Sequence, residues 1–177
     1  NKPANVEEAL EIKTENGTLN DDIISTTQKT GEKVSLRRFT VVEKDDGDSF
    51  GAYLHQGGQI AALVVLEGAD DATAKDVAMH VAAINPEFMT RDDVSQERLD
   101  HERAIFKEET LNEGKPEKIV DKIVEGRLKK NFKEVCLNDE AFITNPDQTV
   151  AQYLGNGKVE MLARFKVGEG IEKKEEN

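Results

Sequence analysis

The spacing of apolar positions changes from one stretch of the chain to the next, and each change marks an element. Val6 to Ile12 reads as a short helical piece. A second helix is predicted from Leu19 to Lys29, because Thr18 can cap its start, Asp21 and Asp22 suit its first turn, and Gly31 follows its end. Val34 to Val42 is rich in β-favouring residues. After the turn-forming Asp45-Asp46-Gly47-Asp48 come two more strand patterns, Phe50 to Leu54 and Ile60 to Leu66. Three strands in succession predict an antiparallel meander.

Asp70 to Ile84 carries Ala74, Val77, Ala78, Val81 and Ile84 at helical spacing, so it offers one apolar face to that sheet, and Asn85-Pro86 ends it. Ser95 can cap a helix reaching about Leu111, with Leu99, Ile105 and Phe106 as a thin apolar stripe. Gly114 and Pro116 turn the chain. The next helix has the clearer pattern: Ile119, Val120, Ile123, Val124, Leu128, Phe132 and Val135 recur at threes and fours, with Glu and Lys opposite. A stripe so narrow needs a partner helix, which predicts an antiparallel hairpin over residues 95–135. At about 1.5 Å per residue, roughly 18 residues make an arm roughly 27 Å long. It either lies flat on the body or projects from it, and its dense charge favours projection. Beyond it, Phe142 and Ile143 read as a short extended piece, Thr149 to Leu154 as a short helix, and Val159 to Val167 as a final strand. Gly168 to Asn177 has no buried pattern and reads as a solvated tail.

A chain of 177 residues can form one domain or two small lobes. With no Trp and few aromatics, its core must be built mainly from Val, Ile, Leu and Ala. The formal charge of -12 argues against nucleic acid as a direct ligand, since phosphate contacts need clustered Lys and Arg. The longest apolar run, Ile60 to Leu66, is too short to cross a bilayer, and the N-terminus lacks a signal-peptide pattern. No membrane partner and a cytoplasmic location are therefore expected. The single cysteine, Cys136, agrees with a reducing compartment; it reads as a buried apolar residue, with a reactive thiol as the alternative. The chain begins with Asn1, so it is expected to be a fragment.

Catalytic chemistry is not supported. His101 beside Glu102 lacks a second His at the spacing of a helical zinc site, and Asp45, Asp46 and Asp48 are too crowded for a calcium loop. No Gly-x-Ser-x-Gly elbow or local Cys and His pair is present, and neither a metal nor a cofactor is expected. His80 lies at the edge of its helix's apolar face. His55, followed by Gln56-Gly57-Gly58-Gln59, sits between two predicted strands. It marks either an ordinary hairpin turn or a tip that contacts another protein; a phosphate loop would need Lys-Ser or Lys-Thr opening a helix, and here a strand follows.

Several segments in order resemble the elongation factor Ts family. They are Gly31-Glu32-Lys33-Val34-Ser35-Leu36-Arg37-Arg38-Phe39, Gly51-Ala52-Tyr53-Leu54-His55 with Gly57-Gly58, and Ala78-Met79-His80-Val81-Ala82-Ala83 with Asn85-Pro86-Glu87-Phe88. The likeness continues through Glu113-Gly114-Lys115-Pro116-Glu117-Lys118, Val124-Glu125-Gly126-Arg127-Leu128-Lys129-Lys130 and Arg164-Phe165-Lys166-Val167-Gly168-Glu169-Gly170, so it covers nearly the whole chain.

The resemblance implies an α+β fold, a small antiparallel sheet packed with helices, with an inserted antiparallel coiled-coil hairpin. Residues 1–33 would close a first core subdomain. Residues 34–94 and 137–167 would form the second, with 95–135 as the inserted hairpin and 168–177 as the C-terminal tail. It implies a guanine-nucleotide exchange factor that acts as a protein ligand of elongation factor Tu and not as an enzyme. The expected partner contacts are Tyr53, His55, Gln56, Gly57 and Gly58, His55 matching the family's hairpin-tip histidine. The family's N-terminal helical module and its Thr-Asp-Phe-Val motif have no counterpart in this sequence, which puts full exchange activity in doubt. The alternative class is a structural module, a homodimer built through the helical hairpin or a sheet edge.

Overall fold

A computed structural model describes residues 1–171; Glu172–Asn177, most of the predicted tail, lie outside the described residues. The chain divides into two compact units, Asn1–Glu43 and the residues from Lys44 onward.

The first unit is built on local signals. Asn5 accepts the Glu8 amide and starts α1 (Val6–Leu10), and a ladder of two short strands follows, β1 (Lys13–Thr14) and β2 (Gly17–Thr18). α2 (Leu19–Thr30) starts on a capping box in which Thr18 and Asp21 satisfy each other's backbone amides, and it ends on Gly31 at φ 72°. The helix therefore runs where its cap and stop signals place it. The strand expected over Val34 to Val42 is not formed: residues 33–45 have no regular structure. Strand propensity is expressed only when a ladder partner is supplied, and β1 and β2, two residues each, are already paired with one another. The meander thus has one strand fewer than expected.

The second unit holds the main core. Its sheet runs in the order β3 (Ser49–His55), β4 (Ile60–Glu67), β7 (Lys158–Lys166), antiparallel throughout, with Ala52 opposite Leu63 and Leu63 opposite Ala163. The last strand, whose apolar positions Val159, Met161, Ala163 and Phe165 alternate imperfectly, returns as an edge. α3 (Asp71–Ile84), capped by Asp70 and ended by Asn85 at φ 61°, lies on one face of the sheet. There Ala74, Val77, Ala78 and Val81 meet Ile60, Ala62, Val64 and Leu66, all buried. Gly51 permits this approach: a Cβ on it would stand 1.9 Å from the Ala74 carbonyl oxygen. Ile84, expected on the apolar face, is exposed at the end of the helix.

His80 takes the interior place and is fully buried. Its Nδ1 accepts the Ile143 amide at 3.2 Å, which leaves Nε2 to donate to Glu140 Oε2 at 2.7 Å. The imidazole stacks on Phe142, which in turn stacks on Tyr153 at 4.1 Å between ring centroids, and the Tyr153 hydroxyl donates to Asp76 at 2.7 Å. That hydrogen bond to the Asp76 carboxylate raises the Tyr153 pKa above its usual value, with burial adding to the effect. The network ties α3 to β5 (Ala141–Phe142) and α6 (Val150–Leu154), with β6 (Asn145–Thr149) paired to β5. The short β6 had no predicted counterpart; its sequence, Asn-Pro-Asp-Gln-Thr, carries no apolar alternation.

Residues 95–135 form a helical hairpin of α4 (Gln96–Asn112) and α5 (Glu117–Val135). Ser95 caps α4 by accepting the Arg98 amide. Val120, Val124 and Leu128 bury the facing side of α5. Ion pairs stitch the helices antiparallel: Arg103 to Glu125 at 3.0 Å, and Arg127 to Glu109 at 3.2 Å and Glu113 at 2.6 Å. At its base the two crossing chains are zipped together. The Glu87 and Phe88 amides both donate to the Val135 carbonyl at 3.0 Å, the Leu137 amide donates to Phe88 and the Asn138 amide to Met89. Arg91 forks onto Asp139 at 2.6–3.1 Å and lies 5.1 Å from the Phe132 ring. Among the described residues no helix is long and apolar enough to cross a membrane.

Candidate protein-contact site at the hairpin tip

The β3–β4 hairpin closes on a tight turn, Gln56–Gly58. Three consecutive residues take positive φ there: Gln56 at 51°, Gly57 at 67° and Gly58 at 92°. Glycine adopts that region without steric cost, whereas Gln56 pays a small one. The turn is held by the pairing of His55 with Ile60 and by the Gln59 amide, which reaches the Gln56 carbonyl at 3.4 Å. From the side, the Val167 amide donates to Gln59 at 2.8 Å, so the end of the last strand stands beside the tip.

The five expected contact residues fall within residues 53–58 but are differently placed. Gln56, Gly57 and Gly58 are exposed at the apex. His55 is half-buried, with its ring 6.1 Å from that of Tyr53. Tyr53 packs partly against the core, so it offers only part of its surface. Two residues not expected at the site join it: Leu54, 70% exposed on the opposite face of β3, and Val167, 75% exposed beside the turn. Strand alternation held the signal for Leu54, because a Tyr53 that faces the core sends its neighbour outward. Nothing local in the sequence brings Val167 to the tip; the register of β7 on β4 does that.

An imidazole, a carboxamide, two aliphatic side chains and permissive backbone make a surface suited to contact. Cys136 is fully buried elsewhere, and burial pushes its thiol up to about 11. Among the described residues no group of three or more His, Cys, Asp or Glu side chains is placed to hold a metal ion.

Known proteins resemble this chain over its length. The family described as elongation factor TS matches residues 1–169. A protein named elongation factor Ts from Limosilactobacillus reuteri (strain DSM 20016) is 84% identical over 100% of this chain and 62% of its own length. Its namesake in Limosilactobacillus fermentum is 70% identical over 100% of this chain and 61% of its own length. That in Lactiplantibacillus plantarum is 62% identical over 99% of this chain and 61% of its own length. The chain thus spans less than two thirds of these relatives. On the family match and on identity across its full length, the chain belongs to the elongation factor Ts family of translation factors.

Proposed function

We propose that this chain binds elongation factor Tu and promotes release of its GDP, acting as a protein ligand without covalent chemistry. Family membership supports the choice of partner, and the tip, with Gln56, Gly57 and Gly58 exposed and His55 half-buried beside Tyr53, is the observation that carries the assignment of the contact. The reading includes the division expected from sequence: residues 1–33 closing a first subdomain, 34–94 and 137–167 forming a second, and 95–135 inserted into it as a coiled coil. Exchange follows from linkage. A ligand that prefers the nucleotide-free conformation of a GTPase weakens nucleotide, and nucleotide weakens that ligand by the same factor.

Release of fluorescent GDP from elongation factor Tu, with and without the chain, tests the proposal. Binding with an acceleration smaller than that given by a full-length relative is expected, since this sequence carries no Thr-Asp-Phe-Val segment. A His55→Ala, Leu54→Ala double variant should weaken binding by roughly tenfold or more, as loss of a contact centre does. Unchanged affinity in that variant removes the tip from the interface.

One observation favours self-association as a second reading. β3, Ser-Phe-Gly-Ala-Tyr-Leu-His, is an edge strand without a charged residue, and such edges pair with other strands unless guarded. Mass in solution, measured alone and after mixing with elongation factor Tu, separates the two readings: a dimer indifferent to the GTPase favours self-association.

A further inference from the structure

The outer face of α5 carries a row of lysines that no ion pair among the described residues engages. Lys118, Lys122, Lys129 and Lys133 are spaced by four, seven and four residues, which on an α-helix places them on one side over about 22 Å. That side is opposite the buried Val120, Val124 and Leu128. All four lysines are exposed, and Lys130 stands exposed at their flank. None of these five pairs with a carboxylate among the described residues, whereas the arginines of the hairpin, Arg98, Arg103 and Arg127, are all engaged in ion pairs. The carboxylate nearest to the row by helical position, Glu125, is held by Arg103.

A second observation points outward from the same row. Gly126 lies within it, between Lys122 and Lys129. Glycine in a helix interior costs stability relative to alanine. Here nothing lies within 4 Å of where a Cβ would stand, and φ is not positive, so neither crowding nor backbone conformation requires it. A residue that weakens its own helix and leaves a gap in an exposed cationic ridge suits the close approach of something from outside.

We propose that the lysine face of α5, centred on Gly126, is a docking surface for the phosphate backbone of RNA. Protein interfaces are depleted of lysine and rely on buried aromatic and arginine anchors, none of which this row presents. Phosphate backbones are bound by clustered lysines without such anchors, independently of base sequence. The net charge of -12 argues against nucleic acid only as an average over the chain. At physiological salt, charges beyond about 8 Å are largely screened, so what this face attracts is set by the five lysines against their neighbours Asp121 and Glu125 and not by the average over the chain.

Fluorescence anisotropy of the full chain with a labelled 20-nucleotide single-stranded RNA, titrated from low to physiological salt, tests this directly. A labelled poly-glutamate of similar charge runs in parallel. Binding with a log-log salt slope near -3 is expected for about four neutralised phosphates. The Lys118→Gln, Lys122→Gln, Lys129→Gln, Lys133→Gln variant should flatten the slope toward zero and lose roughly tenfold or more in affinity at low salt. Gly126→Leu should weaken binding at unchanged slope, because it fills the gap and removes no charge. Circular dichroism must show unaltered helix content in both variants. Where it does not, each lysine is changed singly in a folded chain, with a loss of slope of about 0.7 apiece expected. Absence of RNA binding at low salt overturns the proposal, as does binding indifferent to the lysines. Tighter binding of poly-glutamate than of RNA also overturns it, and assigns the face to an acidic protein.

Discussion

Gly51 and Cys136 show how much of the core rests on single atoms. The α3 backbone comes so close to β3 that a methyl group on Gly51 would overlap the Ala74 carbonyl and its neighbouring amide. Gly51→Ala must push the helix away from the sheet, and overpacking of this kind costs about 1–3 kcal/mol. A lower midpoint in urea at unchanged slope is the expected outcome; a neutral substitution would show that α3 moves freely on β3. Cys136 has no exposed surface, and desolvation raises its thiol to about 11 while nearby Arg91 opposes the shift. The folded chain therefore holds the thiol proton to higher pH than the unfolded chain does. The resulting stability is fully present below the unfolded thiol pKa, near 9.0, and is lost as pH rises to about 11. It amounts to at most roughly 2–3 kcal/mol. The difference in pH dependence between the chain and its Cys136→Ala variant, measured by urea unfolding from pH 8 to pH 11, isolates it from lysine and tyrosine titration. A thiol reagent at pH 8 should react at the rate of unfolding, and immediate labelling would refute the burial.

Among the elements, the helical hairpin is separable on energetic grounds. The main cluster of buried apolar residues runs from Ile60 to Val159 through α3, Leu137, Phe142 and α6, and draws nothing from α4 or α5. Replacing Asp100 to Lys130 with a short turn should leave cooperative thermal unfolding intact, because the zipped base at residues 87–91 and 135–139 is retained. Loss of a cooperative transition would make the hairpin part of the core. Its existence was legible in the sequence because helix signals are local: Ser95, Thr18, Asp70 and Thr149 each cap where their side chains can reach an amide three residues on. Strands need partners from elsewhere, so the same β-rich composition gives a full strand at Ile60–Glu67 and none at Val34–Val42. Contact across distance was likewise hidden. The sequence set His80 at a helix edge, and only the fold brings Glu140, sixty residues away, to its Nε2. At the tip, the turn from His55 to Gly58 was readable from its glycines, while Val167 arrived through strand register.

On the scale of the whole chain, the two units differ in what can hold them together. Between Asn1 and Glu43, Ala9 is the one apolar side chain that is buried, and both helices there rest on caps and short-range hydrogen bonds. Isolated helices of five and twelve residues are marginal in water, since nucleation is unfavourable and little burial offsets it. From Lys44 onward, sheet, α3 and α6 enclose a continuous apolar cluster, and the buried Glu140 carboxylate is tied to His80. That second unit has what a domain needs to fold alone. A chain of residues 44–177 should show a single cooperative transition by heat and by urea. A peptide of residues 1–43 should show only weak, non-cooperative helical signal by circular dichroism at 25 °C. In the longer piece, the sharpest test is amide exchange at Val64, Leu66, Val77 and Val81. These fully buried positions should exchange only through global opening, with a free energy equal to that from urea. Exchange at these amides much faster than global unfolding would mean that the sheet and α3 open independently of the global transition.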